Sequence, residues 1–131
     1  MIGLDTNVLV RYLAQDDPLQ SPLATALIEE RLSDDNPGFI SVVAMVETVW
    51  VLERAYGLSG QEIAAAIERM LQADVLLVEH EQDVFTAMTE MKRGRGAFAD
   101  ALIAARGRSA GCSGTGTFNR KALRLPGFVS M

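Results

Sequence analysis

The chain has 131 residues, of which 49% are hydrophobic and 22% are charged, a balance that excludes a disordered protein and gives one domain a proper core. The net charge of −5 argues at first against a nucleic-acid partner, but the charges are unevenly distributed. Residues 92–131 carry eight basic side chains and one acid, whereas residues 1–91 carry four basic side chains and sixteen acids.

Short apolar strands are predicted to alternate with helices through the first half of the chain. Ser41 is placed to cap the third helix, Gly57 is placed to end it, and Ser59 with Glu62 has the spacing of a capping box. In chain order, the pattern predicts a strand over residues 1–4, helices over 8–14 and 19–32, a loop over 33–38, a strand over 39–40, and helices over 42–56 and 60–73.

The second half of the chain continues the same alternation. A glycine-rich connector at residues 94–96 is expected to be mobile. In chain order, the pattern predicts a strand over residues 75–78, helices over 81–92 and 97–110, a strand over 115–118, a short helix over 120–125, and a last edge strand over 128–129. The alternation predicts an α/β sandwich around a mostly parallel sheet, in one domain over residues 1–131.

Nothing in the sequence points to a membrane or to an oxidising compartment. No apolar run is long enough to cross a bilayer, and Asp5 interrupts the first apolar run, which has no basic segment before it, so we expect no signal peptide. The single cysteine, Cys112, cannot form an internal disulfide. We therefore expect a cytoplasmic protein with no membrane partner.

Asp5 follows the first predicted strand, at the sheet edge where open α/β sheets bind ligands. An aspartate in front of a helix is also a common N-cap, and Asp5 could serve both purposes. The acids of the predicted turns and polar helix faces, such as Asp16 and Asp17, receive no functional interpretation.

Glu47 and Asp100 are lone acids within apolar helical segments. The helix around Glu47 is apolar nearly all round, so we expect it to be largely buried, with Trp50 in the core. A buried carboxylate is costly unless it is paired or binds a metal, although a solvated glutamate on a narrow polar stripe remains an alternative. Asp100 lies in the first turn of its helix, where the helix dipole stabilises a negative charge. This position is equally compatible with a structural aspartate and with a functional one.

These three carboxylates suggest one site, which mutual repulsion would make unstable without a divalent cation. Oxygen ligands suit Mg²⁺ or Mn²⁺ better than zinc. The single histidine, His80, argues against a histidine-centred triad or a zinc site of several histidines, and the glycines after residue 106 lack the lysine and hydroxyl residue of a phosphate-binding P-loop.

In its ordered set of motifs, the chain resembles the PIN-domain ribonucleases, and specifically toxins of the VapC type. The resemblance covers essentially the whole chain, and its specificity lies in the order of the motifs rather than in any one of them. The matching segments are IGLDTNVLVRYL (residues 2–13), FIS (39–41), VETVWVLE (46–53), FADALIA (98–104), GC (111–112) and TFNRKA (117–122).

The resemblance implies a three-layer α/β/α sandwich and a metal-dependent ribonuclease with four acids at one edge of the sheet. Asp5, Glu47 and Asp100 match the first three acids, which implies that they bind one or two Mg²⁺ or Mn²⁺ ions and form the catalytic site together with residue 119. The fourth position holds Asn119 instead of aspartate, so the site carries less negative charge than is usual in the family.

Further residues are expected to assist these acids. The resemblance implies that Thr6, Asn7 and Thr117 support the site, with Thr6 hydrogen-bonded to Asp5. The basic residues expected to bind RNA are Arg93, Arg95, Arg120 and Lys121. The basic residues of the segment 92–131 are nevertheless equally compatible with a phosphate-binding surface and with ordinary solvated helix faces.

The family also implies partners. A VapC-type toxin forms a homodimer and is inhibited by a cognate antitoxin, whose segment crosses the acidic pocket and supplies an arginine to the carboxylates. We expect apolar helix surface between residues 19 and 73 to receive that segment.

Three alternatives remain open. Because of Asn119, the chain could be a catalytically weak or inactive PIN module that binds RNA or a protein partner. A phosphatase of the haloacid-dehalogenase type would need an aspartate two residues after Asp5, where this chain has Asn7. A receiver domain would need an acid pair near the first strand and a later lysine at a strand end, and neither is evident.

Overall fold

Three short parallel strands form the sheet of a first unit, Met1–Glu79, in the computed structural model, which describes residues 1–131. Strand β1 (Ile2–Gly3) pairs with β2 (Gly38–Ile40), and β2 pairs in turn with β3 (Leu76–Val78). Parallel neighbours require crossover connections, and here both crossovers are helical. The carboxyl ends of the three strands consequently lie at the same edge of the sheet.

Four helices surround this sheet in the first unit. They are α1 (Thr6–Ala14), α2 (Gln20–Ala26), which continues into a π-helical turn at Leu27–Arg31, α3 (Val42–Arg54) and α4 (Gly60–Gln72). The largest side chains that are fully buried here are those of Leu9, Ile40, Met45, Leu52, Ile63 and Ile67.

Side-chain caps set where these helices begin. Asp5 accepts a hydrogen bond from the backbone N–H of Val8, so α1 begins at Thr6, two residues before the predicted start. Ser41 caps α3, and the predicted capping box of Ser59 and Glu62 is present at α4. The predicted starts of α3 and α4 agree with the structure, and both carry the predicted cap.

A second unit, His80–Met131, holds two longer helices and a pair of parallel strands. Its elements are α5 (Glu81–Lys92), α6 (Phe98–Ser109), β4 (Thr115–Thr117), a 3₁₀ helix (Arg120–Arg124) and β5 (Phe128–Ser130), with β4 paired to β5. Helices α5 and α6 pack against each other, and Asp83 links them through the Arg106 guanidinium at 2.8 Å and the Ser109 hydroxyl at 2.7 Å.

The α/β class and the parallel pairing of the strands are confirmed. Two of the predicted helices also differ in type. The helix predicted over residues 19–32 is partly π-helical, and the short helix near the C-terminus is a 3₁₀ helix. None of the helices combines the length and the apolar character needed to span a membrane.

Candidate functional site

Asp5 lies between the end of β1 and the start of α1, as the sequence predicts. Its Oδ1 accepts the Val8 N–H at 3.0 Å, which satisfies one of the unpaired donors at the start of α1. The side chain is exposed, and Oδ2 accepts no hydrogen bond from the protein. One carboxylate oxygen therefore caps the helix, and the other is available to a ligand.

Glu47 reaches the same place from α3. The Thr6 hydroxyl donates a hydrogen bond to Oε1 of Glu47, which joins the start of α1 to the second turn of α3. The expectation that Thr6 would hydrogen-bond to Asp5 is therefore wrong, because Asp5 turns back to cap its own helix while Thr6 faces α3. Oε2 of Glu47 has no partner within the protein.

Two open cavities meet at this pair of carboxylates. Asp5, Thr6 and Glu47 line both of them. One cavity has a volume of about 370 Å³ and is also lined by Phe39, Ser41 and Val43. The other has a volume of about 310 Å³ and is also lined by Asn7, Trp50 and Val51. The carboxylates of Asp5 and Glu47 are thus accessible from both cavities, and Asn7 lines one of them.

The prediction that α3 is largely buried is wrong for the face that carries Glu47. Val43, Glu47, Trp50 and Arg54 follow one another at helical spacing and are all exposed, with 75% of Val43 and 56% of Trp50 accessible to solvent. The Arg54 guanidinium lies 5.7 Å from the centre of the Trp50 ring. The opposite face supplies the buried residues, so Glu47 is a solvated carboxylate and Trp50 is not a core residue.

The chemistry of this donor set fits a divalent cation. Asp5 and Glu47 each present one carboxylate oxygen that the protein leaves unpaired, and hard oxygen donors suit Mg²⁺ or Mn²⁺. Within neither unit does the structure gather three acidic, histidine or cysteine side chains in a metal-binding arrangement. Asp5 and Glu47 therefore supply two ligand groups, and a cation site here needs further ligands.

Asp100 belongs to the second unit and lies in the first turn of α6, as predicted. The N-cap position, Ala97, provides no side-chain hydrogen bond, so the first N–H groups of α6 have no side-chain cap. The half-buried carboxylate of Asp100 is the only acid in that turn, where the helix dipole stabilises a negative charge.

Asn119 is exposed in the second unit, directly before the 3₁₀ helix. Its Oδ1 accepts the Lys121 N–H at 3.0 Å, and its own N–H donates to the Thr117 hydroxyl at 3.0 Å. The Thr117 hydroxyl thus holds the backbone of Asn119, and the carbonyl oxygen that a metal would use already serves as a helix cap.

The basic residues assigned to RNA are all exposed in the second unit. Arg93, Arg120 and Lys121 form no ion pair, whereas Arg95 lies 3.3 Å from the largely buried carboxylate of Glu90. By sequence, the first unit carries thirteen acids and four basic residues, a net charge of −9, and the second carries four acids and eight basic residues, a net charge of +4.

Glu79, which the sequence patterns did not single out, positions α3. Its Oε1 accepts the backbone N–H of Val42 at 2.9 Å, and its own N–H donates to the Ile40 carbonyl. Glu79 follows β3 just as Asp5 follows β1 at the carboxyl end of its strand. The same pattern of an acid after a short apolar strand would have drawn attention to Glu79.

Comparison with known proteins identifies the family but supplies no close relative. No curated protein matches the chain. The family model described as the PIN domain matches residues 2–127, a span that includes residues of both units. This chain therefore belongs to the PIN domain family.

Proposed function

We propose that this protein is a metal-dependent endoribonuclease and the toxin of a type II toxin–antitoxin pair. PIN domains are typically nucleases that use Mg²⁺ or Mn²⁺. The observation that carries the proposal is the exposed pair of Asp5 and Glu47, each with an unpaired oxygen, where two open cavities meet. The toxin role rests on the sequence resemblance to VapC-type toxins.

Asp5 and Asp100 are the proposed main ligands of the cation, and Glu47 completes its coordination or orients the attacking water. When bound, the cation supplies Lewis-acid chemistry, which makes a water molecule more acidic and offsets charge that develops on a phosphate. Thr6 holds one oxygen of Glu47, which fixes the direction of the other. The α1 cap holds Asp5 in the same way.

Exposed apolar surface on α2 supports the proposed antitoxin contact. Leu19 and Leu23 are 78% and 70% exposed, and Leu23 lines a cavity of about 490 Å³ that also contains Asp5 and Arg11. An apolar antitoxin segment would bury these leucines, and its arginine would pair with the carboxylates. The proposed homodimer is tested by the mass of the purified chain in solution.

RNA cleavage tests the proposed activity. We expect the parent protein to cut RNA with Mn²⁺ or Mg²⁺ and not with EDTA. Asp5→Asn or Asp100→Asn should reduce the rate at least about 100-fold, since each removes a ligand charge where charge develops. Asp74→Asn, an exposed acid in the same unit as Asp5, is the matched control and should cut at the parental rate. Equal cleavage by all four proteins would reject the site.

A PIN module that binds RNA or a protein partner with little or no cleavage is the second candidate. It is favoured by Asn119, whose Oδ1 is committed to the Lys121 N–H. Asn119→Asp keeps a cap acceptor and adds a negative charge, so it separates the two roles. Faster cleavage at limiting Mn²⁺ would indicate that position 119 belongs to the site. Unchanged cleavage would show that Asn119 is only a helix cap.

A further inference from the structure

Phe118 is the most exposed large apolar side chain of the protein. It lies between β4 and the 3₁₀ helix, and 91% of its surface is accessible to solvent. Burying a phenylalanine side chain stabilises a protein by about 1.5–3 kcal/mol relative to leaving it exposed. Phe118 makes no such contribution, because the rest of its unit leaves it uncovered. An exposed aromatic ring of this kind offers a face on which a base can stack.

The backbone on both sides of Phe118 is held in place. The N–H of Asn119 donates to the Thr117 hydroxyl at 3.0 Å, and Oδ1 of Asn119 accepts the Lys121 N–H. The carbonyl of Thr117 accepts the N–H of Met131 at 3.1 Å, which ties the same turn to the end of β5. Phe118 is therefore presented on a fixed turn, so little conformational entropy of the backbone is lost when a partner binds.

The chain that follows Phe118 is basic. Arg120 and Lys121 follow it, both exposed and unpaired, and residues 101–131 contain five basic side chains and no acid. An aromatic ring beside two unpaired cations is complementary to a single-stranded nucleic acid, which combines flat bases with a chain of phosphates. Arg120 and Lys121, which form no ion pair, favour a polyanionic partner over a basic protein segment.

We propose that Phe118 stacks on an unpaired base of the RNA while Arg120 and Lys121 contact the flanking phosphates. This inference rests on RNA as the substrate in the proposed function, and it deepens that function by naming the residues that would contact the RNA. A base inside a duplex already stacks on its neighbours and does not offer its face to the ring.

Binding in EDTA measures this contact without cleavage. A short single-stranded RNA and the same strand annealed to its complement are titrated against the parent chain, Phe118→Ala, Phe118→Leu and Phe118→Trp. Phe85→Ala is the matched control, because Phe85 is a half-exposed phenylalanine of the same unit on the acidic first turns of α5. The 91% exposure of Phe118 means that each variant should fold like the parent, which circular dichroism checks.

We expect Phe118→Ala to weaken single-strand binding about fivefold to 100-fold, with Phe118→Leu similarly weak. Phe118→Trp should bind like the parent, and its additional emission should be quenched by RNA. Duplex binding should be the same in all variants. Arg120→Ala should lower the salt dependence of binding by about one unit of slope, whereas Phe118→Ala should leave that slope unchanged.

Other results would overturn the inference. Parental affinity in Phe118→Ala, full rescue by leucine, or an equal loss in Phe85→Ala would exclude base stacking. A fall in solution mass on Phe118→Ala would instead place Phe118 in a contact between two copies of the chain. A parent that binds single strands through Phe118 but never cuts RNA with Mn²⁺ would reject the proposed nuclease and leave the binding inference standing.

Discussion

At the scale of single residues, each carboxylate of the candidate site uses one oxygen for a hydrogen bond within the protein and leaves the other oxygen for a ligand. Asp5 uses Oδ1 to cap α1 and Glu47 uses Oε1 to accept from Thr6, so both side chains are oriented before any ligand arrives. Fixing a glutamate rotamer costs up to about 2 kcal/mol of entropy, and here part of that cost is met within the protein. Thr6 is consequently a positioning residue.

Replacing Thr6 tests this positioning. Thr6→Val removes the hydroxyl with little change of shape, so Glu47 should become free to rotate and Mn²⁺ affinity should fall about fivefold, the equivalent of about 1 kcal/mol. Thr6→Ser keeps a donor and should restore most of the affinity. Calorimetric titration with Mn²⁺ measures both variants, and parental affinity in Thr6→Val would mean that the hydrogen bond does not orient Glu47.

Residue patterns predicted the place of Asp5 but not the setting of Glu47. A short apolar strand followed by an acid fixes Asp5 at the sheet edge whatever packs around it. The burial of Glu47 depends on which face of α3 meets its neighbours, and α3 is apolar on both faces. Its sequence alone therefore could not show that Val43 and Trp50 remain in solvent.

At the scale of elements, α3 owes its position to contacts at its first turn. Ser41 accepts from Ala44 N–H at 3.1 Å, and Glu79, at the end of β3, accepts from Val42 N–H at 2.9 Å. The second contact joins the helix to a strand far away in sequence. Local patterns predicted the Ser41 cap and could not predict the contact of Glu79 with Val42, because nothing near Ser41 encodes it.

Glu79→Ala should lower the free energy of unfolding by about 1 kcal/mol, since it leaves the half-buried Val42 N–H without its acceptor. Glu79→Gln retains a carbonyl oxygen and should lose less. Urea unfolding of the two variants provides the comparison. An equal loss in both would show that the charge of Glu79, and not its acceptor oxygen, stabilises α3.

The packing of α5 on α6 should depend on acid pH. Burial tends to raise the pKa of Asp83 and is the largest single influence, but hydrogen bonds from Arg106 and Ser109, with the charge of Arg106, together hold this pKa below its ordinary value of 3.8. Folding therefore favours the ionised carboxylate. Its contribution to stability is full well above pH 3.8 and declines as the pH falls through that value toward the lower pKa of the folded state.

Asp83→Asn accordingly should lower the free energy of unfolding by about 1–2 kcal/mol at neutral pH. The difference from the parent should shrink as the pH is lowered below 3.8, because the parent then loses the same charge. Asp74→Asn, which removes an exposed acid with no partner, should show little difference at any pH. Urea unfolding across the acid range measures this, and a difference that stays constant would contradict the role of the Asp83 charge.

At the scale of the whole molecule, charge is segregated along the chain. The first unit holds the Asp5 and Glu47 pair and a net charge of −9, and the second holds the basic residues and a net charge of +4. The overall charge of −5 therefore does not argue against RNA. The order of helices and strands, the α/β class and the family were accessible from the sequence, because caps, glycines and apolar runs encode them locally.

Mn²⁺ titration followed by Trp50 emission tests the central claim most directly. Trp50 is the only tryptophan and lines a cavity with Asp5 and Glu47, so a paramagnetic ion held by these carboxylates should quench it. We expect saturable quenching that Mg²⁺ reverses by competition. In Asp5→Asn and Glu47→Gln the apparent affinity should be at least about tenfold weaker, since one ligand charge is lost.

Glu53→Gln makes the same change of charge on the same helix, away from both cavities, and should titrate like the parent. This pattern, quenching that depends on Asp5 and Glu47 but not on Glu53, is the result that the account predicts. Quenching that is absent, or equally strong in Asp5→Asn, Glu47→Gln and Glu53→Gln, would contradict a cation site at the Asp5 and Glu47 pair.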